Sequence, residues 1–468
     1  MPIFQQSSLY FGFPLRNPSS APPLHPAEYD SKLFDSMAAA AHPRTDWSLL
    51  FAQRGFRYFF AGTFISMFGS GMNFAGVTWH ILGITHSTVS VGVTVIMYTL
   101  PGLIVPFLGG VLIDRIDRRY LGIALDISRG TLVLCVAALV RFGHAPIWQI
   151  DGMVLLNGAG AAVYWASINA LVQELVPPGQ FVGANSSVLI AVQGGLLFAG
   201  AFVGFIYESA GLAGILWIDG CTYLVSAFCL YRLRRGYLHP RHSEAAGEAL
   251  PDVLETAPIP PIIETDLAAG VLRDLREGLH YLREQPRVLA LGITYATMLA
   301  GVISANVLVV ALAKDVLHAG PRGFGLLESG WAIGAVTGGL TAGILARRRP
   351  LTVLVGATAI LAVGHAFMPF VTILPWAIVL QAVFGSCRAL GGILTQSSVM
   401  SIVPRRLMGR TQSAFAVIST TLQVLMSFCL GWVSQHLSIA LAFGTLALLY
   451  SVAVIAAMRA RGLNESIA

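Results

Sequence analysis

The sequence predicts an all-α polytopic membrane protein with twelve transmembrane helices in two six-helix bundles. Three observations predict it. Of 468 residues 55% are hydrophobic and only 11% charged, whereas a soluble chain needs about a quarter of its residues charged to cover its surface. The apolar residues come in runs of about 20, the length that crosses a bilayer at about 1.5 Å of rise per residue. Those runs are continuously apolar rather than alternating with period two, which excludes a closed β-barrel. The composition also argues against a soluble enzyme, a nucleic-acid-binding domain and a disordered scaffold. The excess of 29 Lys and Arg over 23 Asp and Glu sits in loops between apolar runs, where it is first an orientation signal.

Residues 1–50 read as a disordered cytoplasmic tail, with Pro14, Pro18, Pro22, Pro23 and Pro26 and without the basic start and apolar centre of a secretory signal. Met37 is an alternative start. An N-terminal bundle over 51–232 then carries spans near 58–83, 91–113, 120–141, 147–172, 186–207 and 212–231. A cytoplasmic linker occupies 233–287. A C-terminal bundle over 288–460 carries spans near 288–313, 323–346, 351–370, 374–400, 412–434 and 438–458, before a tail of 461–468. With both termini in the cytoplasm, the inner segments hold 24 Lys and Arg; outside remain 3, Arg141, Lys314 and Arg322. The positive-inside rule fixes this orientation and supports an even number of spans.

In the linker, 240–263 is Pro- and Glu-containing and reads as flexible. Leu267, Val271, Leu275, Leu279 and Leu282 then form a stripe at intervals of four, four, four and three, which predicts an amphipathic helix on the inner membrane surface. The chain has no GxxxxGK[ST] loop, and no catalytic Ser/His or metal-ligand cluster rises above chance. No catalytic residue, cofactor or metal is therefore expected. Cys135, Cys221, Cys229, Cys387 and Cys429 lie in apolar runs without paired spacing and read as small buried apolar residues.

The halves repeat. Gly109-Gly110 opens the segment after span two and Gly338-Gly339 the segment after span eight, an offset of 338 − 109 = 229. Val176-Pro177 and Val403-Pro404 follow spans four and ten at 403 − 176 = 227. Two anchors at nearly one offset indicate a same-orientation duplication, as in transporters built from repeats.

Gly110-Val-Leu-Ile-Asp114-Arg115-Ile-Asp117-Arg118-Arg119 resembles the signature loop of the major facilitator superfamily, departing from it at Asp117, where most members carry Gly. Arg54-Gly-Phe-Arg57, Leu125-Asp126-Ile-Ser-Arg129, Ile218-Asp219, Arg273 to Leu282, and Val403-Pro404 through Gly409-Arg410 resemble the third drug:proton antiporter branch, which holds macrolide-efflux and enterobactin-exporter-like proteins. The resemblance covers about residues 50–460. It implies the major facilitator fold, with one central cavity exposed to alternate sides, and a gating role for Gly110, Asp114, Arg115, Arg118 and Arg119. Gly343 falls where the second half would repeat Asp114, so only the first half is expected to carry that latch. Gly194-Gly195, Gly200 and Gly204 of span five look like the antiporter motif of exporting members, although Ala201 stands where a proline usually follows the glycine.

A charge inside a span costs roughly 2.5–3.5 kcal/mol on insertion scales, and six such residues are functional candidates. Asp126 and Arg129 are three residues apart on one face of span three, the spacing of an internal ion pair or of a gating element. Asp151 is shallow enough in span four to read as an interfacial cap. Arg388 sits near the middle of span ten, where branch members more often look neutral; Asp219 and Glu328 lie near the outer ends of spans six and eight. A cavity holding Arg388 with Asp219 or Glu328 can exchange a proton for a substrate. In that scheme Arg388 neutralises an acidic or catechol-like substrate and a carboxylate carries the proton. The bland alternative is a salt bridge that only joins helices. Asn73, Asn157, Tyr164, Trp165, Asn169, Gln381 and Gln396 are candidate cavity walls, with helix packing as the competing role. The expected function is proton-driven export of a small amphiphilic molecule, a drug or siderophore-like metabolite. An uptake symporter and a transport-inactive membrane sensor are the alternatives. The expected partners are the lipid bilayer, a small-molecule substrate and the proton, with no nucleic acid. A monomer, multi-pass in the plasma (inner) membrane, is expected.

Overall fold

The computed structural model describes residues 47–103, 117–143, 145–176, 181–233, 267–345 and 349–465, and every regular element among them is helical. Helices α1 (Arg54–Thr85), α2 (Thr88–Thr99), α3 (Arg118–Arg141) and α4 (Ile147–Leu175) follow the first four expected spans. Helix α5 (Phe181–Arg232) runs through the fifth and sixth, broken at Gly211, whose φ of 62° and ψ of −164° belong to glycine alone. The linker helix α6 (Leu267–Glu284) forms where the leucine stripe predicts it. Helices α7 (Pro286–Ala311), α8 (Gly320–Leu345), α9 (Pro350–Phe367), α10 (Leu374–Ile402), α11 (Arg405–His436) and α12 (Ile439–Glu465) follow spans seven to twelve. Seven stretches among the described residues are long and apolar enough by themselves to cross a membrane, one of them the double-length Ser186–Arg232. Residues 104–116, with Gly110, Asp114 and Arg115, lie outside the described residues.

Helix ends are set locally. Ser87 caps α2 by accepting from the Ser90 amide at 3.3 Å, and prolines open α7 and α9 at positions where no amide donor is needed. Asp117 caps α3, accepting from the amides of Arg119 (2.9 Å) and Tyr120 (3.4 Å). Capping accounts for the acid that stands here in place of the usual glycine.

Small residues then set how closely the helices approach. Gly62, Gly69 and Gly76 of α1 are seven apart and meet the second arm of α5 at Cys229, Asp219 with Thr222, and Ile215. A Cβ on Gly76 would stand 2.6 Å from Ile215 Cδ1, so the helices touch along a glycine seam. Gly330, Gly334 and Gly338 of α8 do the same at intervals of four against Ile378, Ala382 and Ser386 of α10. Helix α7 is the most enclosed of the seven membrane-length stretches, 78% of its most apolar window being buried against 33–44% for the others. The outward faces carry exposed Phe198, Phe202, Phe205, Phe228, Leu340, Leu425 and Leu448, a surface suited to lipid and not to water. Trp148 and Trp376, also exposed, stand at the starts of α4 and α10, where an interfacial aromatic belt belongs. Cys229 and Cys387 are buried as expected, but Cys135 and Cys221 are exposed, because lipid-facing sides of these helices are as apolar as their packed sides.

Among the described residues, polar contacts join the two halves of the chain near the ends of α1, α7 and α11, the Gly211 break of α5 and the starts of α2 and α8. Thr88 of α2 donates from Oγ1 to the carbonyl of Gly431 in α11 at 2.8 Å, and its amide donates to Gln435 Oε1 at 2.8 Å. Lys314, in the π-turn Leu312–Val316 after α7, donates to the Leu82 carbonyl at 3.0 Å and so caps the C-terminal end of α1. Arg322 of α8 pairs with Glu208 of α5 at 2.6 Å. Two of the three cations outside the inner clusters therefore join one half to the other.

Candidate functional site

The charged candidates divide between two polar sites. The first lies in the second half, a cavity of about 70 Å³ lined from α7, α8, α9, α10 and α12. Asn306, Glu328, His365, Gln381 and Arg388 bring polar atoms to it, and Trp331, Phe384 and Tyr450 give it aromatic walls. Gln381, His365 and Tyr450 are buried; Glu328 and Arg388 are half-buried, as groups facing a cavity should be. No ion pair joins Glu328 to Arg388 among the described residues, and Arg388 Nε is buried with no hydrogen-bond partner. Gly392 makes room for the guanidinium: a Cβ there would stand 2.5 Å from Arg388 Nη1. The imidazole of His365 stacks on Phe384 with ring centroids 4.0 Å apart and planes 14° apart. Its Nδ1 donates to the Leu361 carbonyl at 2.8 Å, which fixes the ring and leaves Nε2 as its other polar atom.

The second site is a buried network in the first half around a cavity of only about 20 Å³, lined among others by Ser70, Asn73, Tyr98, Arg129, Asn157 and Tyr223. Asn73 Nδ2 donates to Asp219 Oδ2 at 2.5 Å. Arg129 donates from Nε to Asn157 Oδ1 at 2.6 Å and from Nη2 to the Tyr223 hydroxyl. Tyr223 donates to Asn157 Oδ1 at 3.1 Å. Its ring lies under the guanidinium with 4.2 Å to the centroid, and Tyr164 lies 5.9 Å away on the same terms, both within cation–π range. Gly160 gives the arginine stem its space.

The expected pair of Asp126 with Arg129 does not form. Arg129 turns to α4 and α5 instead, and both oxygens of Asp126 are buried without a hydrogen-bond partner. Asp219 is absent from the lining of the Arg388 cavity, where Glu328 is found. Asp151, expected as an interfacial cap, accepts from Thr94 Oγ1 at 2.7 Å and ties α4 to α2. Trp165 is 37% exposed and lines neither cavity. Gln396 is half-buried and also lines neither. The side chain of Asn169 lies outside the described residues. Of the signature loop, Arg119 donates from Nε to the Leu230 carbonyl at 2.9 Å and from Nη2 to that of Tyr231, so it caps the end of α5 within its own half.

Of the span-five glycines, Gly194 and Gly195 pack on Phe64 and Met67 of α1, and Gly200 and Gly204 sit on the seam between halves. A Cβ on Gly200 would stand 2.7 Å from the Ser329 amide nitrogen and 3.1 Å from the Glu328 carbonyl carbon, and one on Gly204 would meet Pro321 and Arg322. Glu328 is thereby both a cavity wall and a residue pressed on the opposite half.

The model of the family described as Major Facilitator Superfamily matches residues 59–428. The chain belongs to the Major Facilitator Superfamily. It is a multi-pass membrane transporter, and its helical architecture is the one the family shares. The enterobactin exporter EntS of Salmonella typhi is 26% identical over 387 residues, 80% of this chain and 84% of that one. Macrolide efflux protein A of Streptococcus pyogenes is 20% identical over 300 residues, 64% of this chain and 68% of that one. Among solved structures, the nucleoside transporter NupG superposes with a TM-score of 0.64 at 14% identity, covering 86% of this chain and 98% of that one. The POT family transporter PepTSo gives 0.66 at 12%, covering 88% and 98%. These two support the fold alone.

His365, Trp331, Asn306, Tyr223 and Tyr450 were not singled out by charge, since none carries a permanent one. An intramembrane His is itself a marked residue, and His365 in the run Ala362-Val-Gly-His-Ala366 was the available signal.

Proposed function

We propose that this transporter exports a small amphiphilic molecule in exchange for protons, by alternating exposure of the second-half cavity. The observation that carries the reading is the placement of Arg388 and Glu328 on one cavity with no ion pair between them. Charges of opposite sign in a low-dielectric space attract by several kcal/mol, so two left apart are available to a ligand and a proton. Arg388 holds the acidic or acceptor part of the substrate. Glu328 carries the coupling proton; its backbone lies against Gly200 of the other half, which supports a carboxyl whose surroundings change when the halves move. The exporting relatives EntS and macrolide efflux protein A support the outward direction.

The molecule works as two six-helix bundles, 51–232 and 288–460, in the plasma membrane with both termini in the cytoplasm, and as a monomer. In that orientation the contacts of Thr88, Lys314 and Arg322 lie on the outer side. Asp219 is the second carboxyl to be tested, since Asn73 holds it in the buried network of the first half.

Inside-out vesicles in which drug or siderophore uptake is driven by an imposed proton gradient provide the test. Glu328→Gln is expected to abolish the response to the gradient while leaving gradient-free exchange of substrate. Glu328→Gln and Asp219→Asn vesicles that both keep the full gradient requirement would reject both carboxyls as coupling sites.

A further inference from the structure

We infer that the substrate is a flat amphoteric molecule, with an acidic group at one end and a cationic or strongly hydrogen-bond-donating group at the other. The inference rests on the reading of the Arg388 cavity as the substrate site and goes beyond it to the chemical class.

Two unlike charged groups line the cavity. The Arg388 guanidinium offers donors in a fork suited to a carboxylate or a similar planar acceptor. No acidic side chain pairs with it among the described residues, and a charge held in a low-dielectric space without a partner is costly unless a ligand meets it. Glu328 lines the same cavity from α8, with no lysine or arginine paired to it among the described residues. If protons and substrate exchange at this carboxyl, they compete for it, and a purely anionic substrate would be repelled by the group that has just released its proton. Competition at Glu328 therefore requires that the substrate bring a cation or a donor to it, while Arg388 requires an acid. A monofunctional ligand leaves one of the two unsatisfied.

The aromatic walls select shape. The face-to-face stack of His365 on Phe384, with the ring of Tyr450 4.9 Å from His365, makes one side a rigid aromatic plate, and Trp331 stands on the cavity from α8. Planar π-surfaces favour an aromatic or conjugated body between the two polar ends.

A matched set of probes tests the class at equilibrium, without a proton gradient. 6-(Aminomethyl)-2-naphthoate carries both groups, its methyl ester only the cation, and its N-acetyl derivative only the anion. Titration calorimetry on the purified full-length transporter is expected to show the first binding roughly 10-fold tighter than either derivative, the effect of one additional hydrogen bond to a charged group. Arg388→Gln should bring the parent compound down to its ester, and Glu328→Gln should bring it down to its N-acetyl derivative. Equal binding of all three, binding of none, or a preference untouched by both variants would overturn the inference. Gradient-driven export that persists alongside equal binding would overturn the amphoteric class while leaving the export reading in place.

Discussion

Asn73 holds Asp219 by a single 2.5 Å hydrogen bond with both side chains sealed from the surface. An acceptor stripped of its donor in such a place bears its full desolvation cost, about 1–3 kcal/mol. Asn73→Ala is therefore expected to lower stability by about that amount, read as a reduced midpoint of thermal unfolding in detergent. The double variant Asn73→Ala with Asp219→Ala should recover most of the loss, because no orphaned carboxyl remains; equal loss in single and double variants would assign the effect to packing. At this scale the sequence located the costly groups well. Arg129, Asp126, Asp219, Glu328 and Arg388 were each visible as a charge within an apolar run. Their partners were not visible, because Asn157 and Tyr223 lie 28 and 94 residues from Arg129 and only folding brings them to it.

Between elements, glycine decides how near two helices come. Gly200 faces backbone atoms of Ser329 and Glu328 together with the short Ser329 hydroxyl, so little there can step aside. Gly200→Leu should force α5 from α8, with a cost of roughly 1–3 kcal/mol for overpacking, and should reduce transport more than it reduces membrane insertion. Measured transport per inserted molecule at the wild-type rate would show the seam to be tolerant. The glycine seam of α1 was open to sequence reading in its seven-residue spacing, as were the helix starts marked by Ser87, Pro286 and Pro350. The direction each helix presents to its neighbours was harder to read. Lipid-facing and packed sides are equally apolar here, so the periodicity that separates core from solvent in a soluble helix is nearly absent.

Across the whole molecule, the described contacts between halves gather at one end, through Thr88 with Gly431 and Gln435, Leu82 with Lys314, and Glu208 with Arg322. Gly431 also packs beside Val89, with 3.3 Å from a built Cβ to the Val89 Cα. In a background lacking the five native cysteines, the pair Val89→Cys with Gly431→Cys is expected to cross-link on mild oxidation and stop transport, which reduction restores. Unimpaired transport by the cross-linked protein would show that this end need not open. On the other side, Asp114→Asn is expected to leave expression intact and to weaken transport; efflux at the wild-type rate would remove the gating role from the signature loop.

The sequence by itself determined the class, the all-helical architecture and the apolar runs that carry it, and it marked each charge that stands within such a run. It could do so because a membrane imposes one coordinate, distance along its normal, and run length with loop charge reports that coordinate directly. The tertiary structure decided which charges share a space. It placed Glu328 with Arg388 and His365, withdrew Asp219 into the Asn73 network, turned Arg129 away from Asp126, and gave Lys314 and Arg322 to the seam. Those outcomes depend on the rotation of each helix about its own axis and on its neighbours, and in a chain apolar on nearly every side only the fit of glycines, aromatics and buried hydrogen bonds sets them.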